Sequence, residues 1–357
     1  MSAITRLAAA GLLRSPGRTV LRVAVLAVAT ALLGAMLLFI GHSLRTMAES
    51  ATRSVALDWQ GPVVSEARAT RLASAVSKQS GILQASPVAT APFSGANHAA
   101  AAGSIRTGRG AVLAVPKGYL DQLKTFRLLH GSLQPGQVVL DQQLSATLRA
   151  RIGDTVTLTP RSGAKSRPYR VSGVALVTAP DVLFQPLNPR LGPAPAQPPA
   201  QIAIMPFQTF ASTYAPALRT LVPSSVGSSA LPGAQDGVQW QVQVQVDPAG
   251  LGSSPGQALK RSGQVRNRIE RTFTGQVQFV DNLAEGLTTA AGDALYAQTL
   301  YIMLAVPGAL VALGLAYLAA LGTAARDQRD LRLLRARGAS GRRLLLLALL
   351  ESFPLAL

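Results

Sequence analysis

The chain has 357 residues, with 34 Lys+Arg against 16 Asp+Glu and no Cys. The lack of Cys excludes disulfides and thiolate metal sites, and 48% hydrophobic residues with only 14% charged point to a membrane protein. The net charge of +18 does not mark a nucleic-acid binder, because Arg is concentrated before the first apolar run and between Arg326 and Arg343, with few aromatics elsewhere to stack bases.

Residues 1–22 read as a short amphipathic helix on the cytoplasmic side. Val23 to Ile40 is an 18-residue run without charge. As a helix it covers about 27 Å, close to the roughly 30 Å hydrocarbon core, so 23–42 is predicted as the first transmembrane span. Arg6, Arg14, Arg18 and Arg22 precede it with no acid among them, which puts the N-terminus in the cytoplasm. A cleaved signal peptide, with small residues at Ala48-Glu-Ser50, is the competing reading, and it sends the next region to the same side.

Residues 43–292 are predicted to form one large extracytoplasmic α+β domain, inserted between the first and second spans. Asp58 to Val64 reads as a strand. Glu66 to Gln79 reads as a helix with Ala67, Leu72, Ala75 and Val76 on one face, and Gly81 to Ala89 as a second strand. Ala111 to Val115 is a buried strand. Tyr119 to Phe126 reads as a short helix ending near Gly131, Val138 to Leu140 as a strand, and Gln142 to Arg151 as a helix stopped by Gly153. Asp154 to Thr159 and Tyr169 to Val174 alternate as strands do. The Pro-rich stretch Gln185 to Ala200 reads as an extended surface loop, and Gln201 to Met205 as a strand. Gln239-Trp-Gln-Val-Gln-Val-Gln-Val246 is a period-2 strand, predicted to have Val on a dry face and Gln on a wet one. Ala258 to Phe273 is a helix and Gln276 to Val280 a closing strand.

From Asn282 the pattern turns helical and runs without a break into the second span, 293–325. This predicts a stalk helix, with a kink at Pro307. Residues 326–343 form a basic loop. A new apolar run starts at Leu344, and 344–357 is the start of a third span. Those 14 residues, holding Glu351 and Pro354, are too few to cross a bilayer. The polypeptide is therefore expected to continue, with Glu351 packed toward further spans.

Motifs for chemistry are absent. Gly103-Ser-Ile-Arg-Thr-Gly108-Arg-Gly110 lacks the Lys and hydroxyl of a phosphate-binding loop and reads as a turn. His42, His98 and His130 make no ligand pattern. There is no Gly-x-Ser-x-Gly elbow. The outer carboxylates are isolated and read as solvated surface. No catalytic, metal or cofactor-binding residue is predicted, and the chain is not expected to be an enzyme.

The basic loop is different. Leu331, Leu334 and Gly338 recur at i, i+3 and i+7, while Arg329, Arg332 and Arg335 fall on a neighbouring face. Gly338 before Ala339-Ser340 reads as a helix stop and restart. Anionic lipid attracts such a segment, but lipid alone does not account for Leu331, Leu333 and Leu334 on so short a loop. A cytoplasmic partner is expected there as well.

Arg329-Asp-Leu-Arg-Leu-Leu-Arg-Ala-Arg-Gly-Ala-Ser340 resembles the Arg-Glu-x-x-Leu-Leu-Arg-Ala-x-Gly-Ala-Ser segment of FtsX-like ABC transporter permeases. Arg342 to Leu357 is similar to the start of their next span, with Glu351 at the position of the family's Glu. Gly131-x-x-x-x-Gly136-Gln-Val-Val-Leu140, Ile152-Gly-Asp-Thr-Val-Thr-Leu158 and Tyr169-Arg-Val-Ser-Gly-Val174 resemble the extracytoplasmic core domain of MacB- and LolC/LolE-type permeases. Asp330 stands for the usual Glu, Arg337 for an apolar residue, and the Pro-rich stretch is an insertion. Arg337 is similar to the larger, two-module members.

The resemblance implies a permease subunit in the cell membrane, working with a cytoplasmic ABC ATPase on a separate chain, which holds the ATP. It also implies a second permease copy or homologue, surrounding lipid, and export or extraction of a substrate. Arg329, Asp330, Leu333, Leu334, Arg335, Gly338, Ala339 and Ser340 would couple to the ATPase. The alternatives are a transmembrane sensor with an outer ligand-binding domain, and a signal-anchored outer scaffold.

Overall fold

The computed structural model describes residues 16–100, 103–121, 123–161, 164–194, 197–219 and 237–336. The first described element is the helix α1 (Pro16–Ser54). Residues 1–15 of the expected amphipathic segment lie outside the described residues. Leu37, Leu38 and Phe39 of α1 are more than half exposed, so this stretch lacks the cover that a water-soluble helix needs on one face.

The chain then builds one mixed sheet. β1 (Trp59–Val63) leads to α2 (Glu66–Val76), β2 (Ile82–Phe93), β3 (Gly95–Ala100), β4 (Gly103–Arg106) and β5 (Gly110–Val115). A single 3₁₀ turn, Tyr119–Asp121, precedes β6 (Phe126–Gly131). β7 (Gln137–Asp141), α3 (Gln142–Leu148), β8 (Thr155–Thr159) and β9 (Arg167–Val177) follow. β10 (Ile202–Pro206), β11 (Gln239–Val246), α4 (Pro255–Thr272) and the two-residue β12 (Val280–Asp281) complete it. The strand order is β12-β1-β11-β2-β5-β10-β7-β9-β8-β3-β4, with β6 paired to β9. The β5–β10 and β7–β9 pairs are parallel and the others antiparallel. The last element, α5 (Asn282–Ala336), is one 55-residue helix that continues through Pro307. At 1.5 Å per residue it is about 80 Å long, more than twice the hydrocarbon thickness.

Arg45–Gly292 form one compact unit, and the chain on either side of it forms a second. In the second, Phe39 meets Tyr301 edge-on with ring centroids 5.4 Å apart, and the Ser43 and Tyr301 hydroxyls are 3.4 Å apart. Among the described residues, two helices are long and apolar enough to cross a membrane.

Inside Arg45–Gly292, α2 is capped by Ser65, whose Oγ accepts from the Arg68 N–H. It buries Ala69, Leu72, Ala73 and Val76. The face is therefore shifted from the expected Ala67 and Ala75, toward the i, i+3, i+4, i+7 set that meets Val242 and Val244 of β11. α4 packs Ala258 and Ile269 into the same core.

The other face of β11 is not wet. Gln239, Gln241 and Gln243 are all at most 3% exposed. The 3₁₀ turn and the loop after β9 cover them. Tyr119 Oη donates to Gln243 Oε1 and lies 3.0 Å from Thr125 Oγ1, while Gln60 Nε2 donates to Gln241 Oε1 at 3.3 Å. Strand alternation separates two faces without saying what lies over each.

Other expectations also change. The segment 119–126 is a 3₁₀ turn running into a strand, because Phe126–Gly131 finds an edge on β9. Gly103–Arg106 is a strand paired with β3, and the turn is confined to the residues before Gly110. Val277 and Phe279 are buried but pack over Gly61, where any side chain would meet them within 3 Å, so the closing ladder shrinks to two residues. α3 ends at Leu148 with Arg149 in the left-handed region (φ 53°), four residues before Gly153. Cβ crowding makes that conformation costly for Arg and free for Gly. Arg149→Gly is expected to gain about 1 kcal/mol, read as a higher midpoint in denaturant. An unchanged or lower midpoint would show that the Arg side chain offsets the strain.

Candidate functional site

The two buried carboxylates among the described residues, Asp58 and Asp281, gather where α1 and α5 meet the sheet. α1 ends at Ser54, and Leu57-Asp58 lead into β1. β12 ends at Asp281, and Asn282 opens α5. The first turns of α5 pack on the last turn of α1, with Leu283 and Leu287 against Ala51 and Val55.

Polar bonds tie this joint. The Asp58 carbonyl accepts from the Asn282 N–H at 2.9 Å. Asp281 acts as the N-cap of α5, its Oδ1 accepting from the Ala284 N–H at 2.9 Å. Its Oδ2 pairs with Arg266 Nη1 of α4 at 2.8 Å. Asn282 Nδ2 donates to the Leu57 carbonyl at 3.1 Å. Gln185, from the Pro-rich stretch, donates to Asn282 Oδ1 at 2.8 Å and to Gln60 Oε1, and accepts from the Ala194 N–H at 3.0 Å. Gln185 is 1% exposed, so the Pro-rich stretch begins as a buried clasp and not as free surface.

The electrostatics are unusual for carboxylates. Asp58 is 2% exposed, and its Oδ2 accepts from the Val246 N–H at 2.7 Å. Burial pushes its pKa up to about 7, with a further push from the nearby Asp281 charge. Burial also raises Asp281, opposed by the Arg266 guanidinium. The expectation that every outer carboxylate is solvated therefore fails at these two. Asp281 could have been found from sequence, since an Asp directly before a helical pattern is a cap signal. Asp58 has no such local sign, because the strand that buries it is 188 residues away.

The joint contains no nucleophile–base pair, and no group of three or more His, Asp or Glu among the described residues could hold a metal ion. His98 is buried, with Nδ1 3.0 Å from the Leu148 carbonyl and Nε2 3.5 Å from Asp154 Oδ2. The arrangement is mechanical. It fixes the first turn of a very long helix to the sheet, to a second helix and to a surface loop. Gln185→Ala removes three bonds, one of them from the buried Gln60 and two from the half-buried Asn282 and Ala194, and is expected to cost about 1–3 kcal/mol. Faster hydrogen exchange at Ala194 and Asn282 would accompany the loss. Unchanged exchange at both would show that the clasp does not hold the loop.

Arg329, Asp330, Leu333, Leu334 and Arg335 lie on the backbone of α5. The expected loop thus begins as a continuation of that helix. Gly338, Ala339, Ser340 and Glu351 lie outside the described residues.

Residues 19–251 match the family model for the MacB-like periplasmic core domain. Among solved structures, the crystal structure of the periplasmic region of MacB from Actinobacillus actinomycetemcomitans is similar at 13% identity, with a TM-score of 0.37; the match covers 64% of this chain and 91% of that one. No curated protein matches the sequence.

Proposed function

Since the chain belongs to the MacB-like periplasmic core domain family, of the FtsX/MacB permease type, we propose that it is the membrane subunit of an ABC transport or mechanotransmission complex. A separate cytoplasmic ATPase hydrolyses ATP. The basic segment 326–343 receives its motion, and the long helices carry it to the extracytoplasmic domain for export or extraction of a substrate. The chain itself does no covalent chemistry. A second permease copy completes the membrane part.

One observation supports this reading above the others. The helix that starts at the hydrogen-bonded joint, Asn282, is the same helix that holds Arg329 to Arg335. A helix is stiff along its axis because each residue adds a backbone hydrogen bond, so a push at one end is felt at the other. A sensor needs no such continuity into a short basic segment.

The test pairs two measurements. The chain is co-expressed with a candidate ABC ATPase from the same source and purified through a tag on the permease. A topology reporter is fused after Arg335. Retention of the ATPase and a cytoplasmic signal are expected. An external signal at Arg335, or no ATPase retained, would overturn the proposal.

A further inference from the structure

At the end of β1 away from Asp281 lies a cavity of about 500 Å³, within the range that takes a small molecule. Its walls are mainly apolar: Val63, Pro189, Val238, Trp240 and Val277. Four polar residues break this lining: Arg68, Gln239, Gln276 and Gln278. Gln239 is 3% exposed and its Nε2 has no hydrogen-bond partner. Arg68, from the first turn of α2, is the single charged residue in the lining, and its side chain makes no ion pair among the described residues.

From this lining we infer a binding site for an amphiphile with an apolar body and an anionic head group. The chemistry is one of complementarity. A cationic ligand meets Arg68 with no carboxylate to offset it. A purely apolar ligand leaves the guanidinium and the Gln239 amide without partners, which penalises a buried polar group. An anionic head satisfies Arg68 with charge-assisted hydrogen bonds, and its chain covers Trp240 and the Val residues. A peptide added as a further strand is a poorer occupant, because Pro62, on the part of β1 that β12 does not cover, has no N–H for a ladder. Carboxylate and phosphate heads share the required chemistry, and the test separates them.

The site also touches the joint described above. Pro189 lies four residues beyond Gln185 on one loop, so the cavity wall and the clasp on Asn282 share a short piece of chain. Binding at this cavity does not depend on the ATPase and is measured without it.

The experiment uses the full chain in lipid nanodiscs, with empty discs as the blank. Bromine-tipped octanoate, octyl phosphate and octanol are titrated while Trp fluorescence is followed, since bromine quenches an indole only near contact. Trp240 lines the cavity, and the other Trp, Trp59, is buried outside its lining. Saturable quenching by one or both anions is expected, with octanol about tenfold weaker or more. Trp240→Phe should remove the response, and Arg68→Gln should bring the anions down to octanol. The tighter anion identifies the head group as carboxylate or phosphate. Equal quenching by all three probes, or a response that survives Trp240→Phe, would overturn the site. Because Trp240 is a core residue, Arg68→Gln on the half-buried first turn of α2 serves as an independent test: anion quenching that stays well above octanol in this variant would also overturn the site.

Discussion

Asp58→Asn is expected to stabilise the outer domain at neutral and alkaline pH and to flatten its stability between pH 4 and pH 7. The sign follows from proton counting. Asp58 titrates at about 7 in the folded chain against an ordinary 3.8. Between these values the unfolded chain has lost the proton and the folded chain still holds it. The folded state binds more protons, so stability falls as pH rises through this window and is level above about 7. The whole difference corresponds to roughly 4 kcal/mol.

Asn carries no charge to desolvate and keeps an oxygen for the Val246 N–H. It places an N–H donor where Oδ1 has no hydrogen-bond partner, which offsets part of the gain, so a net gain of about 2 kcal/mol at pH 8 is expected. Arg266 and Asp281 remain as a pair in both proteins. Thermal unfolding of the two chains across this pH range provides the check. Parallel pH curves would mean that the Asp58 carboxyl is hydrated or paired in solution, contrary to its buried place in the joint.

The second large effect concerns the basic segment 326–343 and rests on the proposed function. In a complex with its ATPase, Leu334→Asp and Gly338→Pro are each expected to reduce stimulated ATP hydrolysis more than tenfold, with Gln328→Ala as a neutral control. An Asp at an apolar contact must either shed its water unpaired or keep the surfaces apart. A Pro at Gly338 removes a backbone donor and fixes φ near −65°, where the sequence places a helix stop. Copurification separates the steps. Loss of binding locates the residues in the contact, whereas binding without stimulation locates them in transmission. If both variants bind and stimulate normally, the coupling role of 326–343 is lost, while the cavity beside Trp240 is untouched.

Much of the architecture was legible because its signals are local. The helix after β1 shows in its apolar spacing, with Leu72 and Val76 on the buried face. The Gln-Val alternation of β11 and the uncharged run of α5 need no partner to be seen. What escaped was set by distant chain. The Gln face of β11 reads as wet until Tyr119 and Gln185 are known to lie over it. Asp58 reads as solvated until Val246 is known to donate to it. The segment from Tyr119 has helical spacing, but an available edge on β9 outweighs a weak local preference. At the basic segment 326–343, the motif was visible in sequence, and the structure adds the continuity of the backbone up to Ala336.

The two ends of the sheet carry a consequence for life in a crowded membrane. One edge is closed by the two residues of β12 laid on β1, whose next residue short of full burial is Pro62. The other is the four-residue β4, bearing Arg106. Short strands, a Pro and a charge are poor templates for recruiting another chain. A protein confined to two dimensions meets its own copies at high local density, and an open twelve-stranded sheet with free edges would risk polymerising through them. Here both ends of this strand order are blunted, which disfavours polymerisation through them.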